Sequence, residues 1–200
     1  MNIIHSHDIT LLGGNADHSI ALRPLTDAHL PYLYKWNADP EVLYWADSDD
    51  VKSYPPEAVH QIYGRPAEET LYFIIEADGE LIGDCSLQRM NLPEVKAIYP
   101  ADADVRRIDM MIGEKAWWGR GVGTLLVGML VDFAFGVEKV DVLHCLCDDY
   151  NIRSRRVWEK CGFALVNAVR VPQSTKGEYE YHWRLTRAEY EAAHASGERA

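Results

Sequence analysis

The segment Trp117-Trp118-Gly119-Arg120-Gly121-Val122-Gly123-Thr124-Leu125-Leu126 constrains the fold more than any other stretch of the chain. A strand-like run, Val105 to Ile112, ends just before it, and an apolar helical run, Thr124 to Phe135, begins at its close. Glycines at 119, 121 and 123 permit backbone conformations that a Cβ disfavours, so a strand can feed a helix through a tight turn here. Such a turn lets successive N–H groups converge, and the helix N-terminus adds the positive end of its dipole. Together they form a cradle for an anion such as a pyrophosphate, with Arg120 placed to add a charged contact. The spacing matches neither G-x-G-x-x-G nor a Walker loop. A plain strand-to-helix junction uses the same residues, so the turn alone leaves ligand binding open.

The rest of the chain shows no repeat, low-complexity tract or long linker. Residues 1–18 are weakly patterned and are expected to form a loose arm ahead of a single domain, 19–200. Ile20 to Pro24 reads as a strand, and Thr26 caps a helix carrying Leu30, Leu33 and Tyr34. A loop around Trp45, Asp47, Asp49 and Asp50 leads to a short helix from Pro56 to Tyr63. Leu71–Ile75 and Leu81–Leu87 flank Asp78-Gly79, a hairpin signal. An irregular stretch, 91–102, precedes the strand from Val105. Beyond the glycine turn come a strand from Val140 to Leu146 and a helix from Ile152 to Lys160. Strands at 163–171 and 179–185 and a helix from Arg187 to Ala195 follow. This order predicts an α/β protein of the α+β type, with a mixed, mostly antiparallel twisted sheet flanked by helices on both faces.

Thirty-one acids against twenty bases give a net charge of −11, which disfavours nucleic-acid and anionic-membrane partners and favours a cationic one. No apolar run reaches the roughly 18–20 residues of a membrane span, and MNIIHSHDIT lacks a secretory pattern. A cytoplasmic protein is expected. Cys85, Cys145, Cys147 and Cys161 have no zinc spacing and read as structural thiols, and His5 and His7 read as exposed rather than metal-binding. No metal is expected. His144 alternates with Cys145 on a strand and reads as a satisfied core histidine. No Ser/His/Asp or Cys/His arrangement is evident, so any acyl transfer proceeds by direct attack in a ternary complex.

Trp118-Gly119-Arg120-Gly121-Val122-Gly123 resembles the acyl-CoA pyrophosphate loop of the GNAT N-acetyltransferases, written Arg/Gln-x-x-Gly-x-Gly/Ala. Asn151-Ile152-Arg153-Ser154-Arg155-Arg156-Val157-Trp158-Glu159-Lys160-Cys161-Gly162-Phe163 resembles that family's Asn-x-x-(small)-x-x-x-Tyr-Glu-Lys-x-Gly-Phe segment, at the expected distance. The resemblance spans roughly residues 20–185 and implies a GNAT fold with acetyl-CoA as cosubstrate. Met110, Met111, Ile112, Trp118, Gly119, Arg120, Gly121, Val122, Gly123, Thr124, Asn151, Ser154, Arg155 and Trp158 are the residues it implies for coenzyme binding. Two positions depart from the pattern. Trp118 stands where Arg or Gln is usual, and Trp158 replaces the tyrosine often proposed to protonate the departing thiolate.

Within that superfamily the chain is most similar to the aminoglycoside 6′-N-acetyltransferases, through Leu30 to Asn37 with Trp45, Gly79 to Gly83, Val105 to Asp109, and Cys147-Asp148. This implies that Asp109 and Asp148 face the substrate amines and serve catalysis, while early tryptophans shape an aromatic pocket. Acetyl transfer needs a neutral nitrogen lone pair, so a carboxylate beside the amine can position it and relay its proton. Trp36, Tyr44, Trp45, Asp84 and Asp104 complete the expected substrate site. Asp84 interrupts an apolar strand and is costly to bury unpaired. The implied activity is acetylation of an aminoglycoside 6′-amine, conferring resistance, by a monomer or homodimer. The alternatives are a protein N-terminal, lysine or polyamine acetyltransferase of the ribosomal-protein-acetylating type, and a non-catalytic CoA-binding sensor.

Overall fold

The computed structural model describes residues 2–196; residue 1 of the expected arm and residues 197–200 of the expected domain lie outside the described residues. Eight strands form one sheet: β1 (Leu11–Gly14), β2 (Ser19–Pro24), β3 (Thr70–Ala77), β4 (Glu80–Arg89), β5 (Val105–Ile112), β6 (Val142–Asp148), β7 (Ala164–Arg170) and β8 (Tyr179–Thr186). Their order is β1-β2-β3-β4-β5-β6-β8-β7, antiparallel throughout except where β5 meets β6. Helices α1 (Leu30–Asn37), α2 (Pro40–Ala46) and α3 (Pro56–Tyr63) precede β3, α4 (Pro93–Lys96) precedes β5, and α5 (Val122–Gly136), α6 (Ile152–Lys160) and α7 (Arg187–Ser196) complete the order.

Both sheet faces are covered, as the alternation of buried residues requires. Leu22, Phe73, Ile75, Cys85 and Leu87 join α5 through Leu126, Leu130 and Val131. Tyr72, Ile74 and Met111 face the opposite way, against Leu33 and Trp36 of α1 and Val59 and Tyr63 of α3. The Asp78-Gly79 hairpin forms as expected, with Asp78 at φ 49° and Gly79 at φ 85°. Its Asp78 carboxylate also accepts the Ser19 N–H at 2.8 Å, binding the turn to β2.

Three local expectations change. The stretch read as a loose arm contains β1, which pairs with β2 from Leu11↔Leu22 to Gly14↔Ser19. Ahead of it Ile4 is buried, the Ile3 and Ile4 N–H groups donate to the Asp27 carboxylate, and His7 Nε2 lies 2.9 Å from the Tyr72 carbonyl oxygen. The segment before Asp47 is helical because the Asp39 side chain caps α2 and Pro40 starts it. The strands read at 163–171 and 179–185 pair with each other as β7 and β8, with a register shift between Leu165 and Asn167 that the residue pattern did not announce.

The parallel pair positions the site. Strands β5 and β6 match only at Val105↔Val142 and Arg106↔Leu143 and then diverge. Beyond that point, Ile108 N donates to Cys145 Sγ at 3.4 Å, and no ladder joins residues 109–112 to β6. The sheet therefore opens into a wedge at the C-terminal end of β5, directly before the glycine turn.

Tight packing reaches this wedge from α1. A Cβ on Gly113 would sit 2.1 Å from the Trp36 ring, whose Nε1 donates to Glu114 at 2.8 Å. Gly113→Ala must displace that indole at a cost of about 1–3 kcal/mol. We expect its Tm to fall by roughly 3–10 °C; an unchanged melt would show that the tryptophan yields freely.

Candidate active site

Two contiguous cavities occupy the wedge. The larger, about 540 Å³, runs between the glycine turn and α6 and is lined by Met110, Met111, Ile112, Trp118, Gly119, Gly121, Val122, Gly123, Thr124, Asn151 and Ser154. The smaller, about 300 Å³, lies beyond it and is lined by Asp47, Arg107, Asp109, Cys147, Asp148, Trp158 and Glu180. Trp45, Ala46, Met110, Asn151 and Ser154 border both, so the two volumes meet there.

The turn takes the conformation its glycines allow: Gly119 has φ 75° and Gly121 φ 81°. Among the described residues, the N–H groups of residues 119–123 have no acceptor, and those of Thr124 and Leu125 close back on the Gly121 carbonyl. Four of these donors, at Gly119, Gly121, Val122 and Gly123, belong to residues that line one cavity together with the start of the 15-residue helix α5. Trp118 pins the turn by donating Nε1–H to the Ile112 carbonyl at 2.7 Å. Asn151 caps α6 through Ser154 N at 3.1 Å and donates to the Trp45 carbonyl at 2.8 Å, tying α2 across the cleft.

Positive charge at this cavity comes from α6. Arg153, Arg156 and Lys160 line it, a run of i, i+3 and i+7 on one helix face. The Arg153 guanidinium lies 4.4 Å from the Trp45 ring and 4.2 Å from the Trp118 ring. Arg120 does not line the cavity: its guanidinium lies over the Trp117 ring at 5.2 Å. Arg155 is likewise turned aside, donating to the Asp149 carbonyl at 2.9 Å and lying over Tyr181. The helical spacing held the signal for Arg156 and Lys160, whereas Arg153 depends on two tryptophans from distant segments.

The smaller cavity is acid-lined. Asp109 is half-buried and takes a forked ion pair from Arg107, at 2.9 and 3.0 Å, plus a hydrogen bond from Gln88. Asp148 is buried and carries no ion pair among the described residues. Glu180 stands opposite it in the β6–β8 register, a residue that sequence reasoning did not select. Asp47 accepts the Tyr54 hydroxyl at 2.6 Å; burial, then Asp47, pushes that phenol well up. At the rim, the Lys176 ammonium lies 5.4 Å from the Tyr44 ring and 5.2 Å from the Tyr150 ring, and it donates to the Asp47 carbonyl. A cation of the protein's own already sits beside these aromatic and acidic groups.

Three expected substrate residues lie elsewhere. Trp36 is buried in the α1 core, because its ring fills the space that Gly113 leaves open. Asp104 sits at the far end of β5, chelated by Arg106 at 2.8 and 3.0 Å. Asp84 is buried on β4, where Tyr63 donates to Oδ2 at 3.1 Å and Oδ1 has no partner. Trp45 lines both cavities, whereas Tyr44 lines neither and packs its ring against Tyr150 at 5.4 Å. Trp158 is buried with its ring on Phe163 and its Nε1 without a partner at the smaller cavity.

The wedge, the donor-lined turn and the capped α6 define an acyl-CoA-dependent N-acyltransferase. The acetyltransferase (GNAT) domain family matches residues 19–164, and the chain belongs to that family as an acetyl-CoA-dependent N-acetyltransferase. It is 26% identical to aminoglycoside N(6′)-acetyltransferase type 1 of Klebsiella pneumoniae over 167 residues, covering 79% of this chain and 80% of that protein. It is 23% identical to spermidine N(1)-acetyltransferase of Escherichia coli (strain K12) over 174 residues, covering 84% and 85% respectively. The crystal structure of aminoglycoside acetyltransferase AAC(6′)-Ib with coenzyme A superposes with a TM-score of 0.68 at 24% identity, over 88% of this chain and 99% of that one. Among the described residues no cluster suits a metal, and no helix is long and apolar enough to cross a membrane.

The buried Asp84 yields a stability prediction. Burial, opposed by the Tyr63 hydrogen bond and assisted by the Asp109 charge, raises its carboxyl from 3.8 to about 7. The folded state therefore holds the proton more tightly than the unfolded one. The contribution is full below 3.8 and is lost as pH rises through about 7. We expect Asp84→Asn to raise Tm by roughly 3 °C or more at pH 8, with the gain vanishing toward pH 4. A D84N protein that melts lower at pH 8 would contradict the assignment.

Proposed function

We propose that the enzyme acetylates a primary amine of an aminoglycoside, at its 6′-amino group, by direct attack of that amine on acetyl-CoA in a ternary complex, conferring resistance. One observation carries the acceptor assignment. The cavity adjoining the coenzyme cleft is walled by Asp47, Asp109, Asp148 and Glu180, with the Lys176 ammonium held beside it over two tyrosines. Carboxylates and ring faces are the groups that bind ammonium. A volume of about 300 Å³ lies at the lower end of small-molecule sites, enough for one amino-sugar ring. The remaining rings and ammonium groups would lie toward Tyr44.

The chemistry divides among the wall residues. The turn N–H groups and α6 cations hold the coenzyme diphosphate. The edge of β5 that faces away from β4 at residues 110–112 takes the pantetheine and polarises the thioester carbonyl. Asp109 is pinned by Arg107, and its fixed charge orients the ammonium. Asp148 is buried and, among the described residues, carries no ion pair, which leaves its carboxylate to take the amine proton. Nitrogen then bonds to the acetyl carbon and the C–S bond breaks. Trp158 cannot donate a proton near neutral pH, but its indole N–H can hydrogen-bond the departing sulfur, which takes its proton from water.

The acid-lined cavity also suits a polyamine, and the similarity to a spermidine acetyltransferase favours that as the second reading. A CoA-release panel of aminoglycosides, polyamines and basic peptides, with mapping of the acetylated nitrogen, separates these readings from a protein-acetylating enzyme and from a coenzyme sensor. Kanamycin-like sugars are expected to give the highest kcat/KM. Asp109→Asn should lower kcat/KM at least tenfold without unfolding the protein, and near-normal turnover would remove Asp109 from the mechanism. Release of CoA in a burst without an amine would overturn direct attack.

A further inference from the structure

A line of side chains leaves the acid-lined cavity along one face of the sheet. Glu180 and His182 lie two apart on β8 and share a face with His144 of β6. His182 Nε2 is 3.3 Å from Glu180 Oε1, His182 Nδ1 is 2.9 Å from His144 Nε2, and His144 Nδ1 is 2.6 Å from the Tyr99 hydroxyl. The two imidazoles are 1% and 5% exposed, while Glu180 and Tyr99 are half-buried. Two buried histidines joined ring to ring and opening at both ends onto polar groups exceed what packing asks of this core.

We infer that Glu180, His182, His144 and Tyr99 form a relay that carries the proton of the acceptor amine from the active-site cavity along this face of the sheet to solvent at Tyr99. The inference rests on the reading of that cavity as the acceptor site. Acetylation of an ammonium gives an amide and a thiol, so nitrogen sheds two protons: one replaces the proton that the coenzyme sulfur takes from water, and one must leave. It passes from the amine to the pocket carboxylates, Asp148 lying opposite Glu180 in the register, and from Glu180 to His182 Nε2. His182 Nδ1–H then donates to His144 Nε2, His144 Nδ1–H to the Tyr99 oxygen, and the Tyr99 hydroxyl proton goes to water. Reverse rotation of the hydroxyl and return of the tautomers reset the chain.

The surroundings suit transit rather than storage. Burial, then the neighbouring His182 and Arg184, lowers His144 to about 4, so a charge does not rest there. Arg184 faces the pair from β8, Glu189 of α7 acts on Tyr99, and Arg107 of β5 faces Glu180. The Glu180 contact is too bent to be a hydrogen bond, and His182 Nε2 has no other partner. With 34% of its side chain exposed, Glu180 is the one member free to swing between cavity and imidazole.

Tyr99→Phe keeps the ring and removes only the terminal hydroxyl. With the best amine found for the wild type, we expect kcat to fall at least fivefold at pH 7 while the KM for acetyl-CoA and Tm hold. High concentrations of imidazole buffer should restore the rate, and the solvent deuterium isotope effect on kcat should rise. His144→Gln should show the same rescue. In ¹⁵N spectra, which need no acceptor, both imidazoles should be neutral with Nδ1 protonated, and Tyr99→Phe should shift the His182 signals. A wild type that turns over while Y99F keeps its kcat, isotope effect and buffer independence would overturn the relay alone, as would Nε2-protonated imidazoles. A wild type that acetylates no amine would overturn the acceptor reading and the relay with it.

Discussion

The site exists because β5 and β6 pair for only two residues and then part. A sheet interior normally satisfies its N–H and C=O groups along a full ladder, and abandoning it leaves buried polar backbone without partners. Here the unmatched edge of β5 lies open to a cleft, and on the proposed reading its groups gain partners from the pantetheine of the coenzyme. Strand β8 keeps the outer edge of β6 paired as far as Asp148 and Glu180, so the opening is confined to one side. The parallel arrangement demands a crossover connection, which α5 provides. Its N-terminus is thereby delivered to the mouth of the wedge, where an anion is best held.

Charge is sorted along this wedge. The coenzyme end carries Arg153, Arg156 and Lys160 from one helix, and the far end carries Asp47, Asp109, Asp148 and Glu180 from β5, β6, β8 and the end of α2. The overall charge of −11 favours the approach of a cation, while the local basic strip offsets it where diphosphate must dock. Trp45 and Trp118, bridged by Arg153, stand over the coenzyme end of the cleft. On the proposed reading the two ligands meet between opposite fields, with the reacting carbonyl at the boundary.

Much of this was legible in the chain. The turn glycines declared themselves because Gly119 and Gly121 need positive φ, and the Asp78-Gly79 hairpin did so for the same reason. The pairing of the glycine turn with the Asn151 segment marked both walls of the coenzyme cleft. Local signals failed where long-range packing decides. Trp36 and Asp84 look like ligands in sequence, yet one fills the gap at Gly113 and the other lies beneath Tyr63. Arg120 and Arg155 sit within the motifs, but ring faces and a carbonyl draw their side chains elsewhere. Strand β1 was missed because it is a short edge with one partner, and Glu180 because only the β6–β8 register brings it opposite Asp148.

The most direct measurement of the central claim is a titration of the ¹⁵N-labelled protein with coenzyme A, followed by amide spectra. Main-chain capture predicts that the largest shifts fall on the amides of residues 119–124, joined by those of 110–112 at the unmatched edge of β5. Saturation with coenzyme that leaves these resonances in place, while others move, would contradict it.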